Sequence, residues 1–272
     1  MPLISIIVPT YNSELNLANF LESFVGSNFS SFEIIVNDDN RTTDKTPALI
    51  DKYMGQGLNI IYKRENISMA QARKQGVKYA TGQILMHLDS DMSITPWLLG
   101  EVEDLIINQN YDGLIIPEEA YGTTFWANCK FVEKKCYENT SVESLRVIKS
   151  DIYRSLGGHD EKMVYSEDKD FDIRVKKAGF VIGRTSNHLF HNEGDIRLLK
   201  TAKKKLNYAS TANLFIAKHP EEFKGSFMRY FIFFRRIDLF FRYPIRYIGM
   251  LIMKTTEFSF GAYGIIKKLK NT

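Results

Sequence analysis

Four short apolar runs, Leu3–Val8, Phe32–Val36, Asn59–Tyr62 and Ile84–Leu88, alternate with stretches whose apolar residues recur at helical spacing, Glu14–Phe24, Thr46–Tyr53 and Met69–Tyr79. Short Ile/Val-rich runs bounded by turn formers predict strands covered on both faces. Their alternation with helices predicts an α/β fold built on a mainly parallel sheet. In such sheets ligands bind beyond the carboxyl ends of the strands. The residues there are Pro9-Thr10-Tyr11-Asn12, Asn37-Asp38-Asp39-Asn40, Arg64-Glu65-Asn66 and Asp89-Ser90-Asp91. Capping of the next helices by Asn12 or Ser13 and by Thr43 or Asp44 explains part of this polarity. It does not require Asp38, Asp39, Asp89 and Asp91 to gather at one sheet edge, where Arg73 on the following helix would join them.

The stretch MHLDSDMS, residues 86–93, runs from apolar residues straight into two carboxylates. Asp89 and Asp91 repel each other at a strand tip unless a cation lies between them. Oxygen ligands suit Mg²⁺ or Mn²⁺, and Mg²⁺ is commonly held by one or two carboxylates together with substrate phosphates. The pattern directs the search to a phosphate-bearing substrate, the alternative being that both aspartates are loop residues facing water.

Composition excludes other classes. At 272 residues, 44% hydrophobic and 25% charged, the chain is an ordinary folded protein rather than a disordered one. Cys129 and Cys136 are its only cysteines and show no zinc-ligand spacing, which predicts free thiols in a reducing compartment. The amino-terminal MPLISIIVPTYN reads as a first strand rather than an export signal. Charge is unevenly spread: 16 Lys and Arg against 4 Asp and Glu from Ile196 onward, and 20 against 28 before it, so the two parts carry +12 and −8.

The segments SIIVPTYN, FEIIVNDDNRTTD, RENISMAQARKQG, ATGQILMHLDSDM, LGGHDE, SEDKDFDIRVKKAG and HNEG, in this order, resemble glycosyltransferase family 2 over roughly residues 3–210. The resemblance implies the nucleotide-sugar-binding fold called GT-A. It implies that Pro9, Tyr11 and one of Asp38 or Asp39 border the nucleotide base, with Arg73 near the base or diphosphate. Asp89 would lie near the ribose and metal, and Asp91 would hold the metal on the diphosphate. The loop Asn40–Asp44 is one residue longer than the family's usual Gly-Ser-Thr-Asp and carries Arg41, which leaves the base preference, UDP- or GDP-sugar, open.

Glu167 and Asp168 stand just ahead of a helix with Phe171, Val175 and Ala178 on one side. Acidic residues favour a helix start through the macrodipole. The family resemblance adds a role: Asp168 as the base that takes a proton from the acceptor hydroxyl, with inversion at the anomeric carbon, and Glu167 or Asp170 orienting the acceptor or stabilising the loop. His191 resembles the family's histidine that completes the metal site, and His188 is the weaker candidate. Gly157-Gly158 reads as a backbone device for a sharp turn.

Beyond residue 210 the chain changes character, and 211–272 reads as a separate basic, aromatic-rich helical segment after a catalytic domain at 1–210. On a helical projection Tyr230, Phe233, Phe234, Ile237, Phe240 and Phe241 share one face, with Arg229, Arg235, Arg236, Asp238 and Arg242 opposite, up to Pro244. The uncharged stretches beyond are shorter than the ~18 residues of a spanning helix. This predicts a tail lying on an anionic membrane surface, the alternative being that the phenylalanines pack on the catalytic domain or in a dimer. Nucleic acid is not an expected partner, because the basic residues form no groove-reading motif.

Together these features predict a peripheral enzyme of the cytoplasmic membrane face that moves a sugar from a metal-bound nucleotide donor to a lipid-linked acceptor. The competing readings are a polyprenyl-phosphate sugar synthase, a nucleotidyltransferase and an idle binding module. A nucleotidyltransferase normally has a Gly-rich basic loop after strand one, which VPTYNSE lacks, and an idle module would be expected to lose Asp91 or Asp168.

Overall fold

The computed structural model describes residues 1–163, 166–221 and 231–270. The expected rhythm is present: β1 (Ile4–Thr10), α1 (Glu14–Val25), β2 (Phe32–Asp39), α2 (Thr46–Gly55), β3 (Ile60–Glu65), α3 (Met69–Gly76) and β4 (Ile84–His87). Three later strands, β6 (Gly113–Ile115), β8 (Leu145–Lys149) and β9 (Ile182–Arg184), complete a seven-stranded sheet in the order β3-β2-β1-β4-β8-β6-β9. All neighbours pair in parallel except at β8, which runs antiparallel to both β4 and β6. The single reversed strand brings its beginning, Leu145 and Arg146, to the edge where the other strands end.

The chain divides into two compact units. The first, Met1–Glu118 with Ser144–Glu161 and Glu167–His191, contains the sheet. One side of the sheet packs Ile4, Ile6, Val8, Ile34 and Val36 against Leu17, Phe20 and Phe24 of α1; the other packs Ile7, Ile35 and Leu85 against Val77, Phe171 and Val175. Both faces are therefore apolar, as the continuous runs required. A short strand β5 (Met92–Ile94) pairs antiparallel with β10 (Leu189–Asn192), setting His191 opposite Met92. At the turn before the 167–177 helix, Gly157 and Gly158 both have positive φ, and a Cβ on Gly158 would lie 2.6 Å from the Tyr153 ring.

The second unit, Glu119–Glu143, Lys162–Ser166 and Asn192–Thr272, is helical. Its helices are α5 (Phe125–Tyr137), α8 (Leu198–Lys218), a short helix Ile237–Arg242 and a long one, Pro244–Lys270. Cys129 and Cys136 are free and buried on α5, packed with Met250, Met253 and Tyr247. The structure corrects the expected apolar face of residues 230–241. Phe233 is 1% exposed and lies in the core against Tyr137, with its carbonyl accepting from the Tyr247 hydroxyl at 2.6 Å. Phe240 is half-buried against Tyr247, while Phe234, Ile237 and Phe241 are exposed. Tyr230 lies outside the described residues. The cause is a break at Arg236 (φ −110°, ψ 41°), which interrupts the continuous helix on which the common face depends. Pro244 then opens the next helix, a position suited to its missing N–H. Among the described residues no helix is long and apolar enough to cross a membrane.

Candidate active site

The loops after β1 and β2 are tied together before any ligand is considered. Asn12, at φ 47°, accepts from Thr43 N–H at 2.8 Å. Asp44 accepts from Glu14 N–H at 2.9 Å and Thr46 N–H at 3.0 Å, so one carboxylate satisfies the first turns of α1 and α2. Ser13, at the cap position of α1, makes no side-chain cap bond.

Pro9 is buried in β1, beside Asn37 of β2. Asp38 has no exposed surface and accepts hydroxyl hydrogen bonds from Thr10 (2.9 Å), Thr42 (2.7 Å) and Tyr62 (2.8 Å). Its carboxylate is committed to these hydroxyls, so of the two expected candidates Asp39 is the one left beside the loop. Asp39 is gripped by Arg41, whose Nε donates to Oδ1 at 2.8 Å, and this contact, ahead of the opposing effect of burial, lowers the Asp39 pKa. The Arg41 guanidinium also lies 5.9 Å from the centre of the exposed Tyr11 ring. Tyr11, Arg41 and Asp39 thus form one polar-aromatic ledge at the mouth of the β1–β2 edge.

Beyond β4 the charged residues form a continuous chain. Glu167 Oε1 accepts from Arg73 Nη1 at 3.3 Å, and Arg73 Nη2 donates to Asp89. Asp89 Oδ2 lies 3.5 Å from Arg146 Nη1, and Arg146 Nη2 donates to Glu118 Oε1 at 2.7 Å. Glu118 Oε2 is 3.4 Å from His191 Nδ1, and His191 Nε2 is 3.4 Å from Asp91 Oδ1. Of the expected gathering of Asp38, Asp39, Asp89 and Asp91 with Arg73, the structure links Asp89 and Asp91 to Arg73 through this chain, which also contains Glu167, His191, Glu118 and Arg146. Arg73 is buried and committed to two carboxylates rather than free for the base.

Electrostatics follow from this order. Burial opposes the charge on Asp89, but Arg73 and Arg146 outweigh it and hold the carboxyl below the ordinary range. Burial also opposes charge on His191; its hydrogen bonds and charge contacts with Asp91 and Glu118 prevail and push it up to about 10. Burial raises Glu167 despite Arg73. Beneath the chain, His87 is pushed down to about 3 by burial and then by Arg73 and Arg146, and stacks neutral on Tyr153 with centroids 5.2 Å apart.

Asp168, half-buried at the start of α7 (Glu167–Lys177), accepts from Lys169 N–H at 2.7 Å, and its charge reaches Arg73 and Arg146. Asp170 has no exposed surface and pairs with Arg174, which also donates to Leu156 carbonyl at 2.7 Å. Of its two expected roles, the structure gives it loop stabilisation.

Two buried polar atoms in this chain, Arg73 Nε and Glu167 Oε2, lack hydrogen-bond partners, and Asp91 Oδ1 has His191 Nε2 no nearer than 3.4 Å. Buried polar atoms of this kind call for a water, an ion or a ligand to complete their bonding. Among the described residues no group of three candidate ligands encloses a metal. Asp91 and His191 nevertheless fit the sparse donor set of a cation that takes the rest of its shell from substrate phosphates and water. A metal there would require neutral His191, so binding would release its proton.

Residues 5–146 match the profile of the family described as Glycosyl transferase family 2. An uncharacterized glycosyltransferase, MJ1057, of Methanocaldococcus jannaschii is 29% identical over 188 residues, 64% of this chain and 64% of the relative. The UDP-Glc:alpha-D-GlcNAc-diphosphoundecaprenol beta-1,3-glucosyltransferase WfgD of Escherichia coli is 24% identical over 199 residues, 67% of this chain and 76% of that protein. Among solved structures, Staphylococcus aureus TarS residues 1–349 superposes with a TM-score of 0.57 at 20% identity, covering 77% of this chain and 63% of TarS 1–349. The mannosyltransferase PcManGT of Pyrobaculum calidifontis, solved with GDP-Man and Mn²⁺, gives 0.55 at 18% identity, covering 78% and 64%. The chain thus spans just under two thirds of the archaeal relative and of these two solved chains, and shares their fold. Matched by the family profile over more than half its length, the chain belongs to glycosyl transferase family 2.

Proposed function

We propose that this protein transfers a sugar, with inversion, from a UDP- or GDP-sugar to a hydroxyl of a lipid-borne acceptor at the cytoplasmic face of a membrane. The observation that carries the reading is Asp91 Oδ1, buried 3.4 Å from His191 Nε2, at one end of a charged chain whose other end is Glu167 and, next to it, Asp168. Asp91 and His191 would hold Mg²⁺ or Mn²⁺, and a cation there offsets the charge of the departing nucleoside diphosphate. Arg73 and Arg146 keep Asp89 ionised beside that position. Tyr11 and Arg41 offer a stacking and hydrogen-bonding ledge for the base. Asp168, open to solvent on one side, is the group available to accept the acceptor's proton.

The lipid-borne acceptor draws support from WfgD, whose name specifies a diphosphoundecaprenol-linked sugar. Poly(ribitol-phosphate) in the name of TarS shows that a polymer acceptor occurs among its relatives too. A polyprenyl phosphate would arrive already ionised and would need little from Asp168. Asp168→Asn separates these cases. For a hydroxyl acceptor the variant should keep donor affinity and lose ~10²–10⁴-fold in kcat, measured with a donor panel in Mn²⁺ and again in EDTA. Collapse of donor binding would make Asp168 a binding residue, unchanged kcat would favour the phosphate acceptor, and full turnover in EDTA would remove the metal.

A further inference from the structure

The helix Pro244–Lys270 has two apolar sides. Tyr247, Met250 and Met253 face inward and pack with α5 residues Val132 and Cys136. On the outer side Ile245, Ile248, Ile252 and Ile266, with Phe241 just before the helix, are between 49% and 77% exposed. Their spacing of three, four and fourteen residues keeps the isoleucines on one stripe. A helix apolar on opposite sides is ordinarily covered on both, and within the second unit only the inner side is.

Charge indicates what covers the outer side. From Leu239 to Lys270 the one acidic residue is Glu257, which is 3% exposed and bound to Lys254. Arg242, Arg246 and Lys267 are exposed, and the two guanidiniums bracket the Tyr243 ring at 5.3 and 5.7 Å. The surface is therefore an apolar stripe edged by cations, and the exposed carboxylate that precedes it, Asp238, is paired with Arg236. A second copy docked on it across a two-fold axis would set these cations against their own equivalents. An anionic bilayer supplies both the apolar boundary and the missing negative charge.

We propose that Phe241 and the isoleucine stripe of Pro244–Lys270 seat this helix in the plane of an anionic bilayer, with Arg242, Arg246 and Lys267 at the phosphates. The inference rests on the membrane-surface reading above and moves the docking element from the expected face of residues 230–241 to this helix. At 1.5 Å per residue its 27 residues reach about 40 Å along the interface.

The test is co-sedimentation of the full chain with phosphatidylcholine vesicles, with and without phosphatidylglycerol, at low and high salt. Wild type should bind the anionic vesicles and lose affinity as salt screens the cations. Ile245→Ser with Ile248→Ser and Ile252→Ser should weaken binding on the order of 10²-fold, and Arg242→Gln with Arg246→Gln should remove the preference for phosphatidylglycerol. Thermal melts should match wild type for both variants. If the serine variant does not fold, the glutamine variant still decides. Unchanged binding by the variants, or light scattering showing a dimer that the serine variant dissociates, overturns the proposal. Vesicle binding without transfer to a lipid-linked acceptor would overturn the acceptor reading alone; transfer without vesicle binding would overturn the docking surface alone.

Discussion

In the first unit Glu167, Arg73, Asp89, Arg146, Glu118, His191 and Asp91 form one run of alternating charge; in the second, Lys130, Glu133, Lys254 and Glu257 form another. Both are largely buried, yet they differ in access. The Asp89 and Asp91 side chains are 27% and 33% exposed, whereas Glu133 and Glu257 are at 4% and 3%. Glu133 binds Lys130 at 2.9 Å and Lys254 at 3.0 Å, joining α5 to the last helix. Glu257 keeps one oxygen without a hydrogen bond, but nothing from solvent reaches it. The comparison separates charge that organises a fold from charge kept open for a ligand: the first is closed on itself, the second has carboxylate side chains that reach a surface.

The largest expected effect tests the closed network. Glu133→Ala leaves Lys130 and Lys254 without their shared carboxylate, and breaking a buried pair from one side costs about 3–5 kcal/mol. Urea denaturation should show that loss, while donor hydrolysis per folded molecule stays near wild type. Adding Lys254→Met should recover part of the stability. A Glu133→Ala variant as stable as wild type would mean that this network does not hold its helices.

The comparison also explains what was legible in the sequence. The four parallel strands, their helices and the residues at their carboxyl ends could be read because long apolar runs announce buried strands. Arg146 was missed because it begins a strand, and only a reversed neighbour, β8, brings a strand's beginning to that edge. Glu118 was missed because the strand before it, Gly113–Ile115, is too short to show a pattern. Asp38 and Asp39 are adjacent and chemically alike, and only the fold shows that Asp38 is consumed by three hydroxyls. Phe233 was misplaced because helical projection assumes an unbroken helix across Arg236.

A second test concerns a buried carboxyl near the open site. Asp172 is 2% exposed, both its oxygens receive Leu145 N–H (3.1 and 3.2 Å), and burial, then the charge of Asp168, push it up to about 7. Folded Asp172 therefore holds a proton that the unfolded chain releases near pH 4. Its contribution is fully present below that pH and is lost as pH rises toward 7. Asp172→Asn keeps an acceptor for Leu145 and removes the titration. With one pKa unit worth ~1.4 kcal/mol, the variant should gain on the order of 2–4 kcal/mol relative to wild type between about pH 4 and pH 8. Parallel stability–pH curves would remove the assignment.

The smallest expected change sharpens the comparison most, because it should alter function and leave the fold alone. Glu118 spans Arg146 and His191, and a carboxylate on the far nitrogen of a metal-binding imidazole fixes its orientation. Glu118→Gln keeps the shape and an acceptor for Arg146, but withdraws the charge that aligns His191. Outer-shell changes of this kind cost ~10–100-fold in metal affinity or activity. Titrating Mn²⁺ into the variant and following donor hydrolysis should shift the half-saturating concentration upward by that factor, with kcat at saturating Mn²⁺ restored and the thermal midpoint unchanged. In the second unit the matching neutralisation, Glu257→Gln, should leave the Mn²⁺ curve where it was. If Glu118→Gln instead lowers the thermal midpoint and leaves metal dependence untouched, the chain from Glu167 to Asp91 is a structural network like that of Lys130 and Glu133, and the metal position belongs elsewhere.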